Sequence, residues 1–196
     1  LIWGNSLWRQ RQFSAAKRQL QQAVTVAKSA ALPQVEANSM RALGMVAEFQ
    51  LDYAEAKKYY EQSLSICRQI GDRLGEVGTL NNLGVVAFYQ GDHASAHTYF
   101  ELALDIRRLL GDRRGEGHAL YNMGFLAIGE GSYAEAQNLS EQALALFRET
   151  GDRWGEADAL QCLGAIAANE GKHAGASGLY EHALALCRQI DHRRCE

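Results

Sequence analysis

The chain has little proline and no long apolar run. Pro33 is the single proline in 196 residues, and because proline interrupts helices, this scarcity favours an almost wholly helical chain. No apolar segment approaches the ~18 residues that a membrane-spanning helix needs. The net charge of −3 does not favour a nucleic acid or an anionic membrane surface. We therefore expect neither as a partner.

Signatures of chemistry are also missing. The sequence contains no P-loop, no nucleophile elbow and no zinc-binding spacing, and its four cysteines match no redox motif. His93 and His97 could share a metal ion on one helix face, but no third ligand is evident nearby, so packing is the favoured interpretation. We expect no enzyme activity, no cofactor and no metal. We also expect reduced cysteines and a cytoplasmic location.

A hexapeptide recurs at a fixed distance. Residues 71–76 read Gly-Asp-Arg-Leu-Gly-Glu, and Gly-Asp-Arg-x-Gly-Glu returns at 111–116 and 151–156. Such a fixed period indicates an array of one supersecondary unit, and arrays build binding surfaces more often than catalytic sites. We expect a single array and interpret it as a fragment of a longer protein. The frame gives a partial repeat at 1–30, full repeats at 31–70, 71–110, 111–150 and 151–190, and the start of another at 191–196.

Each repeat has the pattern of two helices. Leu80 and Leu83 mark the inner face of the first helix, and Ala96 and Phe100 mark that of the second. A glycine that follows the second helix can take the left-handed conformation, and the aspartate after it can cap the next helix. The glycine at position 84 and its equivalents would let two helices approach closely. We expect the turn charges to form exposed ion pairs, with the arginines near the helix ends solvated.

The repeat resembles the tetratricopeptide motif. Leu83-Gly84, Ala96, Phe100 and Ala103 reproduce its core signature. The repeat at 151–190 does so again with Leu163-Gly164, Ala176, Tyr180 and Ala183. The resemblance implies an all-α, right-handed superhelical solenoid of antiparallel helix pairs. The usual unit has 34 residues. The 40-residue form is similar to two groups: the sensor arrays of bacterial signal-transduction ATPases and related transcriptional regulators, and the spindle-orientation scaffold that binds GoLoco proteins.

In tetratricopeptide arrays the first helices line the concave face, and this implies a binding site. Asparagine side chains can pair with both polar groups of a peptide backbone, and aromatic side chains supply anchors. The two arginines of the set would favour a ligand with an acidic residue near the N-terminal half. The predicted partner-binding residues are Arg9, Arg41, Asn81, Asn82, Phe88, Tyr89, Tyr121, Asn122 and Phe125. For the aromatic residues, packing between neighbouring repeats is the alternative.

The function indicated by the sequence is therefore non-catalytic binding of a protein or peptide in the concave groove. The parent would be a larger signalling protein in which the array senses a ligand or partner. One alternative is a passive scaffold that tethers two proteins. Another is self-assembly into a homo-oligomer through uncapped repeat ends, since solenoids need polar caps for solubility.

Overall fold

The structure is a computed structural model that describes the backbone of residues 2–189 and the side chains of residues 13–189. Within this part, nine α-helices follow one another with short turns and no strand, which confirms the all-α fold. Their bounds are α1 Ile2–Ser29, α2 Pro33–Phe49, α3 Tyr53–Ile70, α4 Arg73–Tyr89, α5 His93–Leu109, α6 Arg113–Gly129, α7 Tyr133–Thr150, α8 Arg153–Asn169 and α9 His173–Gln189.

The helix starts follow the predicted period. The first helices of successive repeats begin at residues 33, 73, 113 and 153, and the second helices at 53, 93, 133 and 173. The residues group into two compact units, unit 1 (Leu1–Tyr99) and unit 2 (Phe100–Glu196). Each unit contains complete pairs of a first and a second helix, α2 with α3 in unit 1 and α6 with α7 and α8 with α9 in unit 2.

The first thirty residues differ from the expected pattern. They were expected to contain a first helix, a turn and a second helix, but α1 runs without a break from Ile2 to Ser29. The later repeats turn at Gly91, Gly131 and Gly171, which all have positive φ. The corresponding residue near the N-terminus is Arg11. Because no glycine there provides the left-handed conformation that ends a helix, continuation of the helix is favoured.

The Gly-Asp turns have the predicted geometry. Gly71 and Gly151 end the preceding helices with φ of 72° and 69°. The carboxylates of Asp72 and Asp152 then accept hydrogen bonds from the backbone N–H of the glycine three residues later. These contacts satisfy N–H groups that the start of a helix leaves without partners. The turn residues therefore set where each first helix begins.

The glycine in the middle of each first helix marks a close helix contact. In unit 1, a Cβ atom at Gly44 would lie 2.6 Å from Cδ1 of Tyr60 in α3. Tyr60 is fully buried, and its hydroxyl donates to Glu48 over 2.7 Å. Farther along α3, Ser63 Oγ donates to the carbonyl of Ala37, so the two helices run antiparallel. In unit 2, Gly164 packs against Tyr180 in the same way.

The glutamate of each Gly-Asp-Arg-x-Gly-Glu turn is buried, which corrects the expectation that the turn charges form exposed ion pairs, although the arginines at the helix ends are exposed as expected. Glu76 is 4% exposed and accepts from Nε of Arg68 over 2.8 Å and from Nη1 of Arg73 over 2.9 Å. Burial alone would raise the pKa of Glu76, but the two arginines outweigh it and hold this pKa below its usual range. Glu116 and Glu156 have equivalent pairs of arginines. We call each of these three-residue sets a glutamate clamp.

Candidate functional site

The first helices of unit 1 carry five of the predicted binding residues. Asn81 and Asn82 lie side by side on α4, and both are partly exposed. The Oδ1 atom of Asn81 is buried and has no hydrogen-bond partner among the described residues. A buried acceptor without a partner is unfavourable by about 1–3 kcal/mol.

Phe88 and Tyr89 belong to an aromatic cluster at the end of α4. The ring of Tyr89 stacks on that of Tyr53, with centroids 5.6 Å apart, and lies edge-on to that of Phe88 at 5.5 Å. The ring of His93 also contacts Phe88 edge-on, with centroids 5.6 Å apart. Phe88 is therefore engaged in packing, whereas Tyr89 remains 56% exposed. Of the two aromatic residues, Tyr89 presents the larger free surface.

Arg41 lies against the next first helix. A Cβ atom at Gly78 of α4 would be only 3.2 Å from Nη1 of Arg41, so the absence of a side chain at position 78 makes room for the guanidinium group. The pKa of Asp72 is held below its usual value by the hydrogen bond from Gln34, then by that from Gly75, with a smaller contribution from Arg41. Arg41 therefore brings a positive charge to this face of unit 1.

Three of the predicted residues lie on α6 in unit 2. Tyr121 and Asn122 are partly exposed, and Phe125, one turn farther along, is 46% exposed. The neighbouring Met123 and Leu126 are buried, which shows that the exposed stripe and the packed stripe of this helix are distinct. The remaining predicted residue, Arg9, is in α1, and its side chain is outside the part that the structure describes.

Some neighbouring positions of this face are engaged within the protein. Cys162 occupies the position that Asn82 and Asn122 hold in the two preceding repeats. It is 6% exposed and accepts a hydrogen bond from Ser140. Asn169, which corresponds to Tyr89, donates from Nδ2 to the carbonyl of Ala165 in its own helix. Residues at the same position in successive repeats therefore differ in whether a ligand could reach them, and the repeat period alone does not predict which are accessible.

The cysteines differ in state. Cys67 and Cys162 are free, and burial raises the pKa of both thiols. Cys187 is disulfide-bonded, so the expectation that all four cysteines are reduced is wrong for this residue. Cys67, which occupies the same position three repeats earlier, is free. Cys195 lies outside the described residues.

No group of three or more His, Cys, Asp or Glu side chains in the described part could hold a metal ion. In the same part, no helix combines the length and apolar character that crossing a bilayer requires. A surface pocket of about 210 Å³ lies between α7, α8 and α9, with Leu163, Ile166 and Leu179 among its lining residues. The ion pair of Lys172 with Glu170 is at its rim.

Sequence reasoning missed a polar cluster in unit 2. The carboxylate of Asp152 is buried and accepts from Nε of Arg114 over 2.7 Å, while Nε2 of His118 lies 2.9 Å from the same oxygen. The ring of His118 also packs on that of Phe147, with centroids 4.8 Å apart. Gln34, which occupies the position of Arg114 two repeats earlier, donates to Asp72 in the equivalent way. The repeat position is occupied by Gln34, Leu74 and Arg114 in turn, so no recurring signal in the sequence indicated this contact.

The comparisons with known proteins agree with this architecture. The tetratricopeptide repeat family matches residues 35–109 and 115–189. The chain belongs to this family. No curated protein matches the sequence as a whole or in part. The tetratricopeptide repeats therefore account for most of the chain.

Three solved structures illustrate the similarity of fold. The Rap protein complexed with Competence and Sporulation Factor has a TM-score of 0.81 and 21% identity, over 96% of this chain and 53% of Rap. NprR in complex with its cognate peptide NprX has a TM-score of 0.70 and 20% identity, over 90% and 51%. A signal transduction ATPase with a tetratricopeptide repeat sensor from Pyrococcus horikoshii has a TM-score of 0.72 and 17% identity, and the match covers 96% of this chain and 32% of the ATPase. At these identities the likeness concerns the fold.

Proposed function

We propose that this tetratricopeptide array is a non-catalytic module that binds a protein or peptide segment on the exposed face of its first helices. The observation that carries the proposal is the exposure of large apolar side chains on helices that are otherwise well packed. Tyr89 is 56% and Phe125 46% exposed, while Leu83 and Leu126 on the same two helices are 1% exposed. Exposed aromatic groups of this kind are typical of interaction sites.

The amides beside these rings suit a peptide backbone. Asn81 and Asn82 in unit 1 and Asn122 in unit 2 each offer a donor and an acceptor. The side chains of all three residues are partly exposed, so a ligand backbone can reach their amide groups. Arg41 would add a contact for an acidic residue of the ligand. Backbone pairing would supply affinity, and the aromatic groups would supply selectivity.

A sensing role in a larger signalling protein is the form of this function that we favour. NprR is described with its cognate peptide, and the repeats of the Pyrococcus horikoshii protein are described as a sensor. The present chain corresponds to 51% and 32% of those chains, which is consistent with one array inside a larger, cytoplasmic regulator. A passive scaffold would use the same face but would not change the state of another domain.

The test begins with peptides selected against the wild-type chain from a phage-displayed random library. The affinity of a selected peptide is then measured by fluorescence anisotropy for wild type and for the double variant Asn82→Ala/Asn122→Ala. Each lost hydrogen bond weakens binding by about 0.5–1.5 kcal/mol, so the double variant should bind at least about fivefold more weakly. Alanine is a better helix former than asparagine, so the fold should be retained.

The matched control is Gln62→Ala/Asn138→Ala, which removes two exposed amides from the second helices. This control should bind the peptide as wild type does. Loss of binding in the control but not in the test variant would place the site on the second helices. Failure to select any peptide that depends on Asn82 and Asn122 would count against the proposed function.

A further inference from the structure

We propose that the turns between repeats in unit 2 form a second docking surface, which takes an acidic protein segment that also carries apolar side chains. This surface is separate from the first-helix face. It consists of the last turns of α5 and α7 and the first turns of α6 and α8, and we call it the turn edge. Its outward-facing residues are Arg108, Leu109, Leu110, Arg113, Arg114, Arg148, Arg153 and Trp154.

The turn edge is continuous from one repeat to the next. Arg113 at the start of α6 pairs with Glu149 at the end of α7, with Nη2 and Oε2 3.1 Å apart. Arg114, the next residue, donates from Nε to Asp152 before α8 over 2.7 Å. Residues of one turn therefore contact residues of the next directly. A ligand segment that lies on one turn can reach the other.

At the turn edge the arginine side chains are exposed, whereas the carboxylates that they bind are buried. The Arg114 side chain is 62% exposed, whereas that of its partner Asp152 is 1% exposed. In the glutamate clamps, the side chains of Arg108 and Arg148 are 51% and 52% exposed, and those of the bound glutamates are 11% and 8% exposed. The carboxylates thus lie beneath the surface, and the guanidinium groups form it.

The clamp arginines retain donors for another carboxylate. Arg108 and Arg148 contact their glutamates through Nε, at 3.0 Å and 2.8 Å. A guanidinium group has five N–H donors in a planar fork, and its two terminal nitrogens can bind a carboxylate in bidentate fashion. The clamp at Glu156 has two arginines for one glutamate, so it also keeps a net positive charge that an acidic ligand would neutralise.

Apolar side chains lie beside these arginines. Leu109 is 77%, Leu110 45% and Trp154 42% exposed, although leucine and tryptophan are favoured inside. Trp and Arg together are enriched at the centres of protein interfaces. Exposed apolar side chains also lie next to the glutamate clamp of unit 1, where Ile70 is 37% and Leu74 67% exposed.

A protein segment suits this surface better than a nucleic acid does. The exposed leucines would gain from apolar contacts, which a phosphate backbone does not offer. The whole chain carries a net charge of −3, which opposes the broad electrostatic attraction that nucleic-acid binding needs.

The probe is a fluorescein-labelled peptide with the sequence Glu-Glu-Leu repeated four times, compared with its Gln-Gln-Leu counterpart. Anisotropy is measured with the full chain at about 50 mM salt, where charge contacts are weakly screened. The acidic peptide should bind at least about tenfold more tightly than the neutral one. Leu109→Glu should weaken that binding at least about fivefold, because it places a negative charge among the arginines and removes an apolar contact.

Leu102→Glu is the matched control, since it introduces the same change on α5 at a 39% exposed residue away from the turns. It should alter affinity by less than about twofold. Thermal melts check folding, and Leu110→Glu replaces Leu109→Glu if the latter unfolds. The groove variant Asn82→Ala/Asn122→Ala should retain binding, which separates this site from the one proposed above. Equal binding of the two peptides, insensitivity to both leucine variants, or tighter binding of a twelve-nucleotide thymidine strand would overturn the proposal.

Discussion

Substitution of Gly44 by alanine should destabilise unit 1 more than the equivalent changes in unit 2 destabilise their own helix pairs. The alanine Cβ would lie 2.6 Å from Cδ1 of Tyr60, and no ordinary contact is that short. Tyr60 is fully buried and held by its hydrogen bond to Glu48, so its ring cannot move aside. Overpacking costs about 1–3 kcal/mol, and the better helix propensity of alanine recovers up to about 1 kcal/mol.

Gly124 and Gly164 provide graded controls. At Gly124 the nearest atom to an added Cβ is Oγ of Ser140 at 3.0 Å, and a serine hydroxyl can rotate. At Gly164 the nearest ring is that of Tyr180 at 2.7 Å, but Tyr180 is 41% exposed and can shift toward solvent. We expect a loss of about 1–2 kcal/mol for Gly44→Ala. Gly164→Ala should lose less, and Gly124→Ala should change stability by no more than about 0.5 kcal/mol.

Urea unfolding of the three variants measures these differences, and a double-mutant cycle identifies their cause. In the Tyr60→Ser background, which copies the Gly124–Ser140 combination, the ring is gone and Gly44→Ala should no longer destabilise. The expected coupling between the two sites is therefore about 1–2 kcal/mol. If Gly44→Ala were as well tolerated as Gly124→Ala, or if its cost persisted without the ring, close approach would not explain the glycine at this position.

Two further predictions concern buried carboxylates in unit 2. Glu156→Gln removes the charge that two arginines share and should lower the free energy of unfolding by about 1–3 kcal/mol, whereas Glu149→Gln at an exposed pair should cost less than about 1 kcal/mol. Equal losses in urea unfolding would contradict the role of burial. Burial alone would raise the pKa of Asp152, but the hydrogen bonds from Arg114 and Gly155 outweigh it and lower this pKa. A carboxylate whose pKa is lowered by folding stabilises the folded state at pH values above its unfolded pKa of about 3.9. This stabilisation is lost as the pH falls through the folded-state pKa. The stability difference between wild type and Asp152→Asn should therefore shrink as the pH is lowered from about 6 to 3, and a constant difference would argue against this linkage.

The period predicted the helix boundaries because the residues that define it act locally. A glycine with φ of 69° at position 151 ends one helix, and the carboxylate of Asp152 caps the next, so both functions can be recognised within a few residues of sequence. The same logic explains α1, where the position of the turn glycine is occupied by Arg11. Leu51 is an exception, since it takes a φ of 61° in the place of a turn glycine.

The burial of a charged side chain could not be predicted from the sequence in the same way. Glu76 and Arg68 lie eight residues apart across a turn, and their recurrence in every Gly-Asp-Arg-x-Gly-Glu turn indicated a role without indicating burial. Whether a carboxylate is covered depends on how the end of one helix meets the start of the next. The packing of Phe88 against His93 likewise depends on two helices at once, so the sequence left it open.

Comparison among the repeats of this chain separates the residues that recur at every joint from those that change their chemistry at a fixed helix position. The turn glutamate and its two arginines are the same at residues 76, 116 and 156, as expected if every joint has the same geometry to maintain. The exposed position of the first helix changes from Arg41 to Asn81, Tyr121 and Gln161, although its backbone setting is the same each time. A position that tolerates a cation, an amide and a phenol is not set by packing. Variation at a fixed backbone position is therefore compatible with a ligand that differs in chemistry along its length, which an extended peptide does.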